Sequence, residues 1–239
     1  DLDATISSAD LSVSGTGSII LDEQNAVVLT DIDTANGAIS VTAGGAITAT
    51  DVVSLTDNDS NDITISGNGI AVTLINAGST GDITLNAGTG AISQDGTDDK
   101  DDVTADFLTA DAATGIDLDA TISSADLSVS GTGSIILDEQ NAIVLTDLDT
   151  VDGTITVTSG GVMTATDVQT GSNNNITKCI LNCFNSNFEL NSNNNDIEKG
   201  FKDCKAQCFY CGQENDDDNC FVKCLPTKPF EAILILSTS

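Results

Sequence analysis

The first 26 residues, DLDATISSADLSVSGTGSIILDEQNA, return letter for letter at 117–142. The likeness runs on to Val52 and Val168 with nine substitutions, giving 43 identities in 52 positions at an offset of 116. A catalytic pocket is usually built once, whereas surfaces, spacers and filaments are built by copying, so the duplication points to a repeat array. A finer repeat lies inside the large one. GAISVTAGGAITATD at 37–51 is similar to GDITLNAGTGAISQDG at 81–96, 44 residues on. That distance is two coils of about 22 residues, a solenoid spacing.

Short β-branched runs fill both copies: LSVSG at 11–15, SIILD at 18–22, NAVVLT at 25–30, DITISG at 62–67 and IAVTLINAG at 70–78. Most alternate an apolar residue with Thr or Ser, the period-two signature of strands with one buried face. Gly, Asn and Asp punctuate them, which is turn chemistry. The expected fold is therefore mainly β: a parallel β-helix over 1–168, with copies at 1–116 and 117–168. At about 4.8 Å per rung it would form a rod on the order of 35–40 Å long. Tandem immunoglobulin-like sandwiches are the alternative, although residues 1–106 contain no aromatic to fill such a core.

The composition changes abruptly after the second copy. Residues 1–177 hold 28 acids and a single cation, Lys100, whereas all seven cysteines, both prolines and the one tyrosine lie beyond Lys178. Residues 169–177 read as a polar linker and 178–239 as a cysteine-rich module ending in an apolar strand, Ala232 to Leu236. A formal charge of −30, with no Arg or His, repels phosphate backbones and anionic lipid, so nucleic acid is excluded as a partner. The sequence has no apolar run long enough for a spanning helix. Asp1 aligns with Asp117 inside the array, which suggests that the natural start lies upstream.

The phrases GDITLNAGTGAI and GAISVTAGGAITATD resemble the strand repeats of large bacterial exoproteins and filamentous-haemagglutinin-type adhesins. The resemblance covers about residues 1–168 and implies a secreted or surface-displayed right-handed parallel β-helix used in adhesion, spacing or coat formation.

Catalytic chemistry finds little support. A lyase needs a strong base, and the repeat region offers only Lys100, within Asp98-Asp99-Lys100-Asp101-Asp102. Carboxylate pairs of the glycosidase kind are available, but the platforms that hold sugar are missing, and triads lack His. The chain is read as a non-enzyme. No cofactor is expected, apart from Ca²⁺ as a candidate. TDNDSND places Asp57, Asp59, Asn61 and Asp62 in the D-x-D-x-N opening of a calcium loop, then departs from it, with Asp62 where Gly belongs. A solvated acidic face explains the same residues. Thr-x-Thr ladders of the ice-ordering kind fit at Thr48 and Thr50, or at Thr154, Thr156 and Thr158, but Ser, Ala or Asn interrupts them elsewhere.

The cysteines fall as Cys179-x3-Cys183, Cys204-x3-Cys208 and Cys220-x3-Cys224, with Cys211 extra. An x3 gap sets two cysteines on one face of a helix, so a small disulfide-stapled helical module is expected. Zinc is the competing reading, with only Cys208-x2-Cys211 at knuckle spacing and no His. The twin C-x3-C pattern over 204–224 resembles α-hairpinin peptides. That likeness implies pairing of Cys204 with Cys224 and of Cys208 with Cys220; a hairpin joining 179/183 to 204/208 stays open. Seven is odd, and Cys211 is the candidate for an unpaired or interchain thiol.

The functional expectation is an extracellular structural or adhesive protein, a stiff acidic stalk carrying a disulfide-stapled knob. A subunit of a self-assembling surface layer or filament is the second possibility, and a carbohydrate-active β-helix enzyme the third. The implied partners are neighbouring subunits, or cell-surface and carbohydrate ligands.

Overall fold

A computed structural model describes residues 2–94, 96 and 101–171, together with the strand backbones at 180–183 and 189–190. Every strand pairing among them is parallel. The sandwich alternative is thereby overturned, because sandwiches of that kind are built from antiparallel sheets. The chain winds as a β-solenoid of about eight turns, with no helix among the described residues.

Each coil has three short sides. One coil comprises β5 (Ile39–Ala43), β6 (Ile47–Ala49) and β7 (Val52–Ser54); the next comprises β8 (Ile63–Ser66), β9 (Ile70–Val72) and β10 (Ile75–Asn76). The 44-residue spacing is two rungs, since Ile39 faces Ile63 and Ile63 faces Ile83. Other steps vary more than the sequence suggests, from 17 residues between Ala110 and Leu127 to 28 between Ile75 and Val103.

Like residues stack in the interior. One column runs Leu21, Val41, Ile65, Leu85, Ala110, Leu127, Leu148; another runs Val27, Ile47, Ile70, Ile92, Ile116, Ile135, Ile155. Nearly all are fully buried, and alternation along each strand sends their Ser, Thr and Asp neighbours outward. Corners are tight. A Cβ on Gly37 would land on the carbonyl of Gly17, and one on its copy Gly153 on the carbonyl of Gly133.

Two long strands replace short sides in the middle: β13 (Val103–Ala112) and β14 (Ile116–Val129). They set the phase between the two copies. Five rungs carry Leu21 to Leu127, but its duplicate is Leu137, ten residues further along. The next full coil from Leu127 ends at Leu148. Identical segments therefore lie about half a coil apart around the axis.

At the far end β19 (Val168–Thr170) carries a rung into the segment read as a linker. Two further strands continue the ladder: β20 (Ile180–Cys183) on β17 (Ile155–Ser159), and β21 (Glu189–Leu190) on β18 (Met163–Ala165). Cys183 thus closes a strand, where the x3 spacing suggested a helix. Cys179, Cys204, Cys208, Cys211, Cys220 and Cys224, and the strand from Ala232 to Leu236, lie outside the described residues.

Candidate functional site: outward columns and buried carboxylates

Three of the four calcium-loop residues hydrogen-bond neighbouring coils. Asp57 reaches across to the next coil, where its carboxylate accepts from Ser79 Oγ at 2.7 Å, from Thr80 N at 2.9 Å and from Thr80 Oγ1 at 2.8 Å. The Ser79 and Thr80 hydrogen bonds hold its pKa below the usual carboxylate value. Asn61 is buried, and its Nδ2 donates to Asn36 Oδ1 at 2.9 Å and to Thr56 O at 2.8 Å. Asp62 Oδ1 accepts from the Asp82 amide at 3.0 Å. Three of the four candidates, Asp57, Asn61 and Asp62, staple coils together; Asp59 lies exposed nearby, and the pKa of Asp82 is raised by partial burial first and then by Asp62, Asp106 and Asp59. Among the described residues no group of three or more Cys, Asp or Glu has metal-holding geometry.

A second set of acids stacks by rung. Asp126 faces Asp147, with Asp111, Asp149 and Asp167 around them. Partial burial raises the pKa of both, helped by repulsion from Asp111 and Asp149 at Asp126 and from Asp167, Asp126 and Asp149 at Asp147. The same causes act on Asp51 beside Asp31 and Asp33.

Two buried glutamates escaped the sequence reading. Glu23 and Glu139, duplicates of one another, are 4 % and 3 % exposed. Each stands at an inward strand position, as strict alternation after Ile19-Leu21 and Ile135-Leu137 requires. A buried carboxylate must be hydrogen-bonded, and both find the same partners. Glu23 accepts from Ile6 N at 2.7 Å and from Asn25 N at 3.0 Å; Glu139 accepts from Ile122 N at 2.9 Å and from Asn141 N at 2.8 Å. Small residues flank each: Ala4 and Ala43 around Glu23, Ala120 and Ser159 around Glu139. Burial outweighs those amides and, with Asp101 nearby, pushes the Glu139 pKa to about 7.

Asp101 belongs to the same neighbourhood. Its Oδ2 accepts from Thr121 Oγ1, while its Oδ1 is buried without a hydrogen-bond partner. The Gln94 amide sits among Asp102, Asp117 and Asp119, and with its nitrogen turned toward them it donates to Asp119 Oδ2 at 2.9 Å.

The broadest feature is the outward face. Ser40, Thr64, Thr84 and Thr109 form one unbroken column of hydroxyls over four rungs. Beside it Thr42, Ser66, Asn86, Asp111 and Ser128 form a second polar column. Sequence reading missed both, because coil steps of unequal length hide the rung partners. The Thr48 column breaks as expected, at Ala71 and then Ser93. Such a surface offers hydrogen-bonding groups at regular one-rung spacing. The chain matches no protein-family model, no curated protein and no solved structure.

Proposed function

We propose that the chain is an extracellular structural or adhesive repeat protein, a stiff acidic stalk that binds through many weak contacts along its side. The observation that carries this reading is the run of outward polar columns at one-rung spacing, from Ser40 through Thr109 and from Thr42 through Ser128. Repeated donors and acceptors on a rigid lattice gain avidity with a repetitive ligand even when each contact is feeble. A hydroxyl-rich polysaccharide is such a ligand, and it carries no phosphate-like charge for the acidic rod to repel. Asp57 and Asp62 staple coils, and Asp51, Asp126 and Asp147 are raised by burial and acidic neighbours, which suits a scaffold.

A binding panel of neutral and acidic polysaccharides tests the reading. Neutral polymers should be retained, with retention rising steeply with chain length. Changing Thr64, Thr84 and Thr109 together to Val should abolish retention while the circular dichroism spectrum stays unchanged. Equal retention by the triple variant, or of monosaccharides, would overturn it. A surface-layer subunit is the second reading, favoured by the exposed apolar pair Ile20 and Val28 and its copy Ile136 and Val144; sizing under native conditions separates the two.

A further inference from the structure

Asn36 and Gly37 stand at the corner between Thr34, which ends one strand, and Ile39, which opens the next. In an asparagine–glycine pair the main-chain nitrogen reaches the preceding side-chain amide carbon most readily, because glycine adds no Cβ to block the approach. The sequence holds this pair twice, at Asn36-Gly37 and at Asn68-Gly69. The fold treats the two in opposite ways.

At Asn36 the side-chain carbonyl is the engaged end. Its Oδ1 accepts from Asn61 Nδ2 at 2.9 Å, with Asn58 Nδ2 further off at 3.5 Å. Asn61 Nδ2 also donates to Thr56 O at 2.8 Å, which identifies it as the nitrogen and the Asn36 atom facing it as the oxygen. Among the described residues Asn36 Nδ2 donates to nothing, and neither does the Gly37 amide. Gly37 is held instead by its carbonyl, which accepts from Thr34 Oγ1 at 2.5 Å. Asn36 is half-buried, so water reaches it. At Asn68 each of these groups is reversed. Its Nδ2 donates to Gly44 O at 2.9 Å, Gly69 N donates to Ala87 O at 2.9 Å, and Oδ1 accepts from nothing among the described residues.

We propose that Asn36-Gly37 is a self-modification site, at which the fold promotes conversion of Asn36 to an acidic residue through a cyclic imide. The Gly37 nitrogen bonds to Asn36 Cγ and gives up its proton. The Cγ–Nδ2 bond then breaks, and Nδ2 leaves as ammonia, carrying that proton. Water opens the ring to an aspartyl or isoaspartyl residue, and no oxidant or reductant is consumed. The donor on Oδ1 stabilises the negative charge that gathers there in the transition state, as in an oxyanion hole. Neither the attacking nitrogen nor the departing one has a hydrogen bond to break first. At Asn68 both would have to be broken, and no donor awaits the oxygen. The second copy shows that the corner accommodates an acid. Asp152 occupies the place of Asn36, and Thr150 Oγ1 donates to Gly153 O as Thr34 Oγ1 does to Gly37 O. In the aspartyl product the Asn61 contact becomes a charge-assisted hydrogen bond, so the tie between coils outlasts the reaction.

Peptide mass spectrometry of the full 239-residue chain, incubated in warm, mildly alkaline buffer both folded and in concentrated guanidinium chloride, tests this. In the folded chain Asn36 should gain about one mass unit, at a rate roughly tenfold or more above that at Asn68. In denaturant, where only local sequence remains, the two rates should converge. Asn36→Gln, whose longer side chain would have to close a larger ring, should show no gain at that position. Three outcomes overturn the proposal: a folded-state rate at Asn36 no higher than at Asn68, the same preference in denaturant, which would assign it to local sequence, or an undiminished gain at position 36 in Asn36→Gln.

Discussion

Glu139 accepts the backbone amide of Ile122 from the coil before it, at 2.9 Å, as Glu23 accepts that of Ile6 at 2.7 Å. One side chain thereby ties successive coils and, through Asn141 or Asn25, its own turn as well. Removing it strands two amides. Glu139→Ala should cost about 2–4 kcal/mol in urea unfolding, since unpaired buried groups cost roughly 1–3 kcal/mol each. Glu23→Ala, where Ala4 and Ile6 are only partly buried and water can reach the freed amides, should cost less.

The same residue gives a pH signature. Its folded pKa of about 7 lies above the ordinary value of 4.5, so the folded state holds the proton more tightly. Between those values the native state binds more protons than the unfolded chain, and stability falls as pH rises. Below about pH 4.5 the group is protonated in both states and contributes no slope; above 7 the loss is complete. General acidic repulsion slopes the same way, so the readout is the difference from Glu139→Gln. The variant's stability curve should be flatter between pH 4.5 and 7, by about 1–3 kcal/mol in total.

Leu127 and Leu11 offer a controlled comparison of burial. They share sequence context and lower register, yet Leu127 is fully enclosed and Leu11 only partly. Leu127→Ala should destabilise by about 2–5 kcal/mol and Leu11→Ala by less than half as much, read from denaturant midpoints.

Corner packing sets a harsher limit. Ala at Gly153 would drive its methyl into the Gly133 carbonyl, a backbone collision that no rotamer relieves. Gly153→Ala should lower the unfolding midpoint by an amount worth about 2–4 kcal/mol, whereas Gly15→Ala, where the space is open, should change it little.

The stacked acids should respond to salt. Asp147 is raised by partial burial and by Asp167, Asp126 and Asp149, yet it is solvent-exposed, so screening limits the effect. Asp147→Asn should stabilise by a few tenths of a kcal/mol at low ionic strength, and thermal melting in about 1 M salt should erase the gain.

Much of the rod was legible because period-two alternation and Gly-Asn-Asp punctuation act locally. DITISG resolves into β8 and the 44-residue echo into two rungs. What sequence could not give were quantities set by closure of the coil. IAVTLINAG reads as one strand, but the wall turns a corner at Thr73 and Leu74, splitting it into β9 and β10. β14 runs unbroken through two corners with β13 paired along it, whereas the identical residues 2–13 form two strands, so the local sequence alone does not decide the break. Of the residues at calcium-like spacing, Asp57, Asn61 and Asp62 hydrogen-bond neighbouring coils, contacts that spacing alone does not announce. Glu139 was readable in principle: its parity with Ile135 and Leu137 points it inward, and only the habit of treating acids as exposed hides it.

The half-coil offset between copies bears on valency. A receptor that grips the outward side chains of Ile20 and Asp22 finds Ile136 and Asp138 presented toward another quarter, so one molecule can bridge two receptors instead of engaging a single one twice.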